Sequence, residues 1–316
     1  MQDIIRHLKS KNVKEALFLR NVIKKNLREF MSNEGFIEID TPIMGPQIPE
    51  YQNSQYTVYD MNKEIFYLSQ SPQIYKQILM NAGYEKYFQF AHCFRNNEKR
   101  DSNHLNEFMQ IDVEMQTSDK NVLIKLIEQM IKNICAEINI ECKTPFPIIN
   151  GVDCFDIYGT DKPDLRKDNK DLSFIWIINL PMLEKTSFNR TKVYSSNISI
   201  RGENYILSHH AFASPLNWKR NISENDLLNV VTDSFDLVLN GVEICSGDIR
   251  INDELLQRDI FDKLFINTNL YNKYLNLLDP KIKNGGFALG MERIVMALTN
   301  NNKIEEMNAF NSNVFI

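Results

Sequence analysis

The chain has 316 residues, of which 43% are hydrophobic and 24% are charged, and its formal net charge is -5. This composition is close to the average of soluble globular proteins and excludes collagen-like, disordered and repeat-dominated chains. The slightly acidic balance gives no support for nucleic-acid binding through bulk positive charge.

No segment predicts a membrane span or a secretory leader. The longest apolar stretch, residues 174–183, is too short to cross a bilayer and contains Asn179 and Pro181. The first residues alternate in charge, which is not the pattern of a signal peptide. The five cysteines include no CxxC pair, so they indicate neither a disulfide framework nor a zinc site. We therefore expect a reduced, cytoplasmic protein with no membrane partner.

The first half of the chain predicts two amphipathic helices and several short strands. The first helix ends before Gly35 and carries one apolar stripe, made of Leu19, Val22, Ile23, Leu27, Phe30 and Met31. A second helix is predicted over 120–138, and Ser71-Pro72 marks the start of a third, shorter one. Strands are predicted at 36–40, 64–68, 87–91 and 108–115.

The second half adds a buried strand at 174–179 and a hairpin. The turn of that hairpin is Asn240-Gly241, the strongest short-range signal in the chain. A strand after Gly285 passes into a helix that begins near Met291. Because strands follow one another through hairpins and loops, the sequence predicts an α+β fold with a mainly antiparallel sheet flanked by helices.

Two carboxylates on the predicted hairpin suggest a cation site. If Asn240-Gly241 is a two-residue turn, Glu243 faces Val238, and Asp236 becomes its diagonal neighbour. Such carboxylates often share a cation, and Mg²⁺ carried by a nucleotide is a common one. A β-bulge at Gly247 would bring Arg250 to the same face. On spacing alone, an outward-facing solvated pair explains the pattern as well.

Three other segments carry charges suited to anions. Arg95 precedes a polar loop that ends at Glu107-Phe108, so its guanidinium could bind phosphate, although a solvated hairpin tip fits the same spacing. Gln73 and Lys76 share a helix face, as many surface pairs do. The segment Gly290 to Arg293 opens a helix, whose N-terminus attracts phosphate. It lacks the GxGxxG and P-loop spacings.

Taken in this order, these segments resemble the three signature motifs of class II aminoacyl-tRNA synthetases, and most closely the aspartyl subfamily. The helix, strand and Thr41-Pro42 resemble the first motif, Arg95 through Phe108 the second, and Gly290 through Arg293 the third. Sequence motifs that resemble those of the aspartyl subfamily in particular occur at 70–77, 110–114, 158–166, 209–210 and 236–250. The resemblance extends from about residue 15 to the end of the chain.

The resemblance implies activation of L-aspartate by Mg·ATP to aspartyl-adenylate, without a covalent enzyme nucleophile. Arg95 would bind the α-phosphate and His104 the γ-phosphate. Phe108 and Arg293 would enclose the adenine beside Gly290. Asp236 and Glu243 would hold Mg²⁺, the only cofactor expected.

The resemblance also implies an aspartate subsite. Lys76 and Arg250 would clamp the side-chain carboxylate, and with Arg95 and Arg293 they are the expected catalytic residues. The ammonium group would lie among Glu50, Gln73 and Asp112. His209 or His210 would line the part of the site that closes over the substrate.

The expected organisation is a single catalytic domain over residues 1–316, without the N-terminal anticodon-binding barrel and without the bacterial insertion domain. We expect a homodimer through the first helix and the segment around Pro42, and weak tRNA binding. The aspartyl acceptor stays open among tRNA, ammonia, a peptide, a carrier protein and a metabolite. The alternative is a catalytically inactive paralogue with a regulatory or binding role, which Asn97 favours because the family usually has glutamate there.

Overall fold

The computed structural model describes residues 2–46, 55–96, 103–168, 171–185 and 198–310. The helices in these ranges are α1 (Gln2–Lys9), α2 (Lys11–Asn33), α3 (Gln73–Asn81), α4 (Lys120–Glu137), α5 (Gly151–Tyr158), α6 (Glu224–Leu227), α7 (Glu254–Lys263), α8 (Asn272–Leu275) and α9 (Met291–Leu298). The strands are β1 (Ile37–Glu38), β2 (Met44–Gly45), β3 (Thr57–Tyr59), β4 (Ile65–Leu68), β5 (Lys86–Phe94), β6 (Glu107–Gln116), β7 (Ile148–Asn150), β8 (Phe174–Ile178), β9 (Leu183–Lys185), β10 (Ile198–Ile200), β11 (Glu203–Leu207), β12 (Ser234–Leu239), β13 (Val242–Ile249) and β14 (Asn284–Gly290). None of the described helices is long and apolar enough to cross a membrane.

One eight-stranded sheet dominates the fold. Its strand order is β1-β5-β6-β14-β13-β12-β8-β7. The pairs inside the sheet are antiparallel, and only the two edge pairs, β1 with β5 and β7 with β8, are parallel. The predicted α+β class with a mainly antiparallel sheet is therefore confirmed. Two smaller sheets, β10-β11-β9 and β2-β4-β3, lie outside it.

The two faces of the large sheet differ in chemistry along its central strands β6, β14 and β13. Side chains alternate between faces along each strand, so the register decides which residues share a face. One face carries apolar residues that join α2, α4 and α9 in a single core, among them Ile111, Val113, Phe235, Leu237, Phe287 and Leu289. On the other face, Asp112 is in register with Ala288, then Ser246, then Asp236. The next row across the same strands is Glu114, Gly286 and Asp248.

A β-bulge in the hairpin brings all these carboxylates to one face. Val238 pairs with Glu243 as predicted, but Leu237 pairs with Cys245, so Ile244 is the extra residue. The bulge expected at Gly247 is therefore wrong in position, since Gly247 pairs regularly with Phe235. Its effect is the predicted one, because a single extra residue between Glu243 and Arg250 places both on the same face.

The α2 helix ends where Gly35 adopts a left-handed conformation, with φ of 80°. Its predicted apolar stripe is buried within the chain's own core, at Leu19, Ile23, Leu27 and Met31. The stripe therefore gives no separate argument for a dimer. Phe18, whose exposed fraction is 69%, is the large apolar residue that this helix leaves in solvent.

A second core, which the sequence did not predict, lies beside the charged face. It joins the β9–β11 sheet to α7 and α8, and its larger members are Leu183, Phe212, Phe261, Tyr271 and Tyr274. The segment that enters this core at Phe212 also pairs with the end of β13, since the Ile251 N–H donates to the Phe212 carbonyl. The core therefore holds the preceding residues, His209 and His210, against the large sheet.

Candidate active site

A cavity of about 260 Å³ opens on the charged face. It brings together most of the residues that the sequence singled out: Gln73, Lys76, Arg95, His104, Phe108, Asp112, His209, His210, Glu243, Arg250, Gly290 and Arg293. Asp236 does not line the cavity and lies against His209, with its Oδ1 3.7 Å from His209 Nε2. Glu50 and Asn97 lie outside the described residues.

Lys76 projects from α3 onto the sheet and is fully buried. Its Nζ lies 2.8 Å from Asp112 Oδ1 and 3.5 Å from Glu114 Oε2. Burial raises the pKa of Asp112 to about 6, although the adjacent Lys76 opposes that shift. Two carboxylates therefore face this buried amine and compensate its charge.

Arg250 is the second buried cation of the cavity. Its Nε and Nη2 donate to Glu114 Oε1 and Oε2, each at 3.0 Å, in the bidentate geometry of a guanidinium and a carboxylate. Its Nη1 lies 2.6 Å from Asp248 Oδ1 and 2.9 Å from His210 Nε2. Burial would raise the pKa of Asp248, but Arg250 and His210 beside it lower that pKa below its ordinary value.

Gly286 makes room for this network. A Cβ atom at that position would lie 1.9 Å from Glu114 Oε2 and 2.3 Å from the Val113 carbonyl oxygen. The Glu114 carboxylate can therefore lie across β14 only because the neighbouring residue has no side chain. Asn284, from the start of the same strand, donates to Glu114 Oε1 at 2.6 Å and completes its hydrogen bonds.

The two histidines lie at the side of the cavity nearer the hairpin. His209 Nδ1 is 3.3 Å from Ser246 Oγ, and His210 Nε2 is 3.1 Å from Asp248 Oδ2. Burial raises the pKa of Asp236 to about 6, which His209 partly opposes. Asp236 Oδ1 is buried and accepts no hydrogen bond in the described part of the chain. A buried carboxylate oxygen without a donor is suited to a cation.

Glu243 is held between two cations. Arg293 Nη1 donates to Glu243 Oε1 at 3.2 Å and to the Glu243 carbonyl at 3.1 Å, and Lys162 Nζ lies 3.0 Å from Oε2. Burial would raise the pKa of Glu243, but Lys162 and Arg293 lower it well below its ordinary value. Lys162 belongs to a segment that the resemblance included without assigning it a role.

Another part of the cavity is formed by the segments that resemble the second and third motifs. The Arg95 guanidinium lies over the Phe108 ring, 5.0 Å from its centroid, where it gains from the ring's negative face. Gly290 is the N-cap of α9, and a Cβ there would meet only the Arg293 side chain, at 3.5 Å. Glu292 fixes α9 to the sheet, because it accepts hydrogen bonds from Arg20 and from the Met109 N–H.

The donor set fits a divalent cation shared with a nucleotide. Asp236 and Glu243 lie on one face, and Asp236 has an oxygen without a hydrogen-bond donor. Residues 2–46, 55–96, 103–168, 171–185 and 198–310 contain no group of three or more histidine, cysteine or acidic side chains that could hold a metal by themselves. Two carboxylates plus phosphate oxygens is the usual arrangement for Mg²⁺ with a nucleotide.

Sequence reasoning assigned no role to Glu114, Asp248 or Lys162. The first two could have been found from spacing, because Glu114 is two residues from Asp112 and Asp248 two from Arg250. In a strand that spacing places each pair on one face. Lys162 gives no such signal, since it reaches Glu243 only through tertiary packing.

The chain belongs to the class II tRNA synthetases for D, K and N, whose family model matches residues 1–314. The predicted family, and with it the ligase class of enzyme, is confirmed.

Among its relatives, the chain is 26% identical to an aspartate–tRNA ligase of Buchnera aphidicola subsp. Baizongia pistaciae over 444 aligned positions, covering 96% of this chain and 74% of the ligase. It is 28% identical to an aspartate–tRNA(Asp/Asn) ligase of Chlamydia pneumoniae over 413 positions, covering 94% and 70%. Both alignments are longer than the chain, so these ligases have residues inside the matched region that have no counterpart here.

Solved structures share the fold. The asparaginyl-tRNA synthetase of Pyrococcus horikoshii, complexed with asparaginyl-adenylate, superposes with a TM-score of 0.71 at 18% identity, covering 96% of this chain and 70% of that one. The asparaginyl-tRNA synthetase of Entamoeba histolytica gives 0.72 at 21% identity, covering 98% and 70%.

Proposed function

We propose that this chain activates L-aspartate with Mg·ATP, forming aspartyl-adenylate and pyrophosphate, and transfers the aspartyl group to an acceptor. One observation carries the choice of amino acid. Lys76 Nζ and Arg250 Nη2 approach the same oxygen, Glu114 Oε2, at 3.5 and 3.0 Å. Both cations line the cavity, and because they lie close enough to share one oxygen of the buried Glu114, they can both reach the side-chain carboxylate of aspartate.

Aspartate would be bound by charge complementarity. Lys76 and Arg250 hold the side-chain carboxylate, while Asp112, Gln73 and Glu50 hold the ammonium group. His209 and His210 line the wall that faces the substrate. Asparagine would replace one carboxylate oxygen by an amide NH2 group, which cannot accept hydrogen bonds from the two buried cations, and this mismatch is a large penalty.

Activation needs positioning and charge neutralisation rather than a nucleophile from the enzyme. The α-carboxylate of aspartate attacks the α-phosphorus in line and pyrophosphate leaves. Arg95 binds the α-phosphate, His104 the γ-phosphate, and Arg293 with Phe108 and Gly290 the adenosine end. Asp236 and Glu243 would hold Mg²⁺, which, when bound, neutralises charge on the phosphates.

The acceptor is proposed to be tRNA, in keeping with the names of the relatives. Much of the affinity of a protein for nucleic acid comes from phosphate contacts, and a chain of net charge -5 supplies few of them. We therefore expect weak tRNA binding. Ammonia stays the second acceptor to be tested, because its product, asparagine, needs no recognition of a nucleic acid.

A homodimer is part of the proposal. Large apolar residues are exposed on α2 and in the segment that follows it, at Phe18, Ile37, Ile43 and Met44. Neighbouring apolar residues of this kind commonly mark an interface between copies of a chain. Sedimentation at micromolar protein should show a dimer, and a monomer would contradict this part of the proposal.

The deciding experiment is aspartate-dependent exchange of pyrophosphate into ATP. We expect exchange with L-aspartate and none above background with L-asparagine. Exchange that is absent with both would favour the inactive paralogue. Once exchange is established, transfer of labelled aspartate to total tRNA and to ammonia identifies the acceptor.

A further inference from the structure

Among the described residues that line the cavity, Lys162 is the lysine to which the proposed reaction gives no role. Its Nζ lies 3.0 Å from Glu243 Oε2 and 3.5 Å from Asp161 Oδ2. Glu243 is one of the two proposed metal ligands. In the absence of a metal, the lysine therefore occupies the oxygen that a divalent cation would take.

The two cations at Glu243 are held differently. Arg293 contacts Oε1 and also the main-chain carbonyl of Glu243, so its position is fixed at two points. Lys162 contacts only the other carboxylate oxygen, Oε2. A metal that binds Glu243 through Oε2 would displace the lysine and leave the arginine in place.

The Lys162 side chain can move away from Glu243 and still keep an acidic partner. Its side chain is 35% exposed, and Asp161 is an alternative partner on the adjacent residue. If Lys162 stayed on Glu243 while Mg²⁺ bound, the carboxylates of Asp236 and Glu243 would have to be shared by three cations: the divalent ion, Lys162 and Arg293. Like charges that share one carboxylate repel each other.

The backbone that carries Lys162 is anchored independently of its ammonium group. The Lys162 N–H donates to Thr160 Oγ1 at 3.1 Å. Arg166 binds Asp164 through Nε and Nη2 and reaches Asn300 through Nη1. Asp164 in turn packs on the hairpin turn, because a Cβ at Gly241 would lie 3.2 Å from Asp164 Cβ. The side chain can therefore move while its segment stays on the hairpin.

We propose that Lys162 is a displaceable counter-ion of Glu243, which occupies the carboxylate in the metal-free protein and leaves it when the divalent cation of Mg·ATP binds. This inference rests on the proposed Mg·ATP site, but it does not depend on which amino acid is activated. In the free protein Lys162 keeps Glu243 neutralised and in place. In the loaded protein its ammonium group is released.

The test measures Mn²⁺ binding to the purified full chain without nucleotide. Electron paramagnetic resonance detects the Mn²⁺ that stays free in solution. The Lys162→Met protein should bind Mn²⁺ at least about fivefold more tightly than the parent. This factor is the lower end of typical coupling between two binding events, and we expect the lower end because the lysine is partly exposed. Lys162→Arg should keep the parent's weaker affinity, because it keeps the charge. Lys185→Met removes another ion-paired lysine, whose partner is Glu203, and should leave the affinity unchanged.

A second readout uses the unaltered protein. Amine-reactive labelling followed by mass spectrometry should show that Mn²⁺ increases modification of Lys162 and not of Lys185. Three results would each overturn the proposal. The Lys162→Met protein could bind Mn²⁺ with unchanged or weaker affinity, it could fail to bind Mn²⁺ at all, or the labelling of Lys162 could stay unchanged at saturating Mn²⁺. Thermal unfolding checks that the variants are folded. A protein that shows the Mn²⁺ effects but no aspartate-dependent exchange would contradict only the proposed function.

Discussion

Ile111 and Asp112 are consecutive residues of β6, and their exposed fractions are 0% and 1%. They lie on opposite faces of the sheet and are buried for opposite reasons. Ile111 belongs to the apolar core beneath α2 and α4, whereas Asp112 faces Lys76 above the sheet. Burial alone therefore does not distinguish a residue of the apolar core from one that lines the cavity. The side chains around each residue do, since Ile111 packs among apolar groups and Asp112 faces a lysine.

The energetics of the two faces differ accordingly. Each large apolar side chain removed from water contributes about 1.5–3 kcal/mol to stability. A buried ion pair contributes little, because desolvation offsets most of the attraction, yet removing one partner is costly. Changes on the apolar face should therefore lower stability and spare chemistry. Changes on the charged face should abolish aspartate activation.

The largest effect is expected for Lys76→Met, on the charged face. This change removes one of the two cations that hold the substrate carboxylate and leaves Asp112 without its nearest partner. Aspartate-dependent exchange should fall by about 10³-fold or more, as it does when a buried polar site loses its match. ATP binding, measured by calorimetry, should stay close to that of the parent.

The matched control for Lys76→Met is Lys185→Met, which breaks the exposed ion pair with Glu203. It should leave exchange unchanged, since an exposed ion pair contributes little to stability. Exchange that survives in Lys76→Met would show that the carboxylate clamp is assigned to the wrong residue.

The next effect is expected for Gly286→Ala. The new Cβ would collide with Glu114 Oε2 and with the Val113 carbonyl, and backbone atoms cannot move aside cheaply. We expect the free energy of unfolding to fall by about 3 kcal/mol and most exchange activity to be lost, because Glu114 would release Arg250. Urea unfolding and exchange assays measure the two effects.

Gly290→Ala is the comparison for that change, because its Cβ would meet only a flexible arginine side chain at 3.5 Å. It should cost about 1 kcal/mol of stability or less, as expected for alanine at an N-cap. If both alanine variants behaved alike, close packing around Glu114 would not be what requires glycine at 286.

On the apolar face, Ile111→Ala should show the opposite pattern. Ile111 is fully buried among core residues, so the cavity should lower the free energy of unfolding by about 2–5 kcal/mol. The KM for aspartate in the folded fraction should be unchanged. A large rise in that KM would mean that the two faces are not independent.

Features that depend on local sequence patterns could be predicted, and features that depend on distant contacts could not. Alternation along β6 and the Asn240-Gly241 turn are local signals, and they correctly predicted strands, hairpin and fold class. The position of the bulge at Ile244, the room that Gly286 makes for Glu114, and the contact of Lys162 with Glu243 depend on pairing between distant segments. No local pattern encodes them. The second core around Phe212 was missed for the same reason, although Asp253, which caps α7, was a readable helix start.

The smallest expected effect is a pH dependence that arises from Asp112. Burial raises its pKa from an ordinary 3.8 to about 6, while Lys76 and Arg250 oppose that shift and Glu114 adds to it. Between about pH 4 and pH 6 the unfolded chain therefore loses this proton while the folded chain keeps it. Because the folded chain binds this proton more tightly than the unfolded chain, the contribution of Asp112 to the free energy of unfolding falls as pH rises through that window. The total fall is at most about 3 kcal/mol, and the contribution then levels off.

The difference between the parent and Asp112→Asn isolates this effect, because Asp236, whose pKa is also raised to about 6, titrates in both proteins. Urea unfolding at several pH values should show that the parent loses stability relative to Asp112→Asn from about pH 4 to pH 6. A difference that stays flat would mean that Lys76 keeps Asp112 ionised throughout. Stability that instead rises with pH would mean that the pair with Lys76 outweighs burial, and that the charged face stabilises the fold as well as binding the substrate.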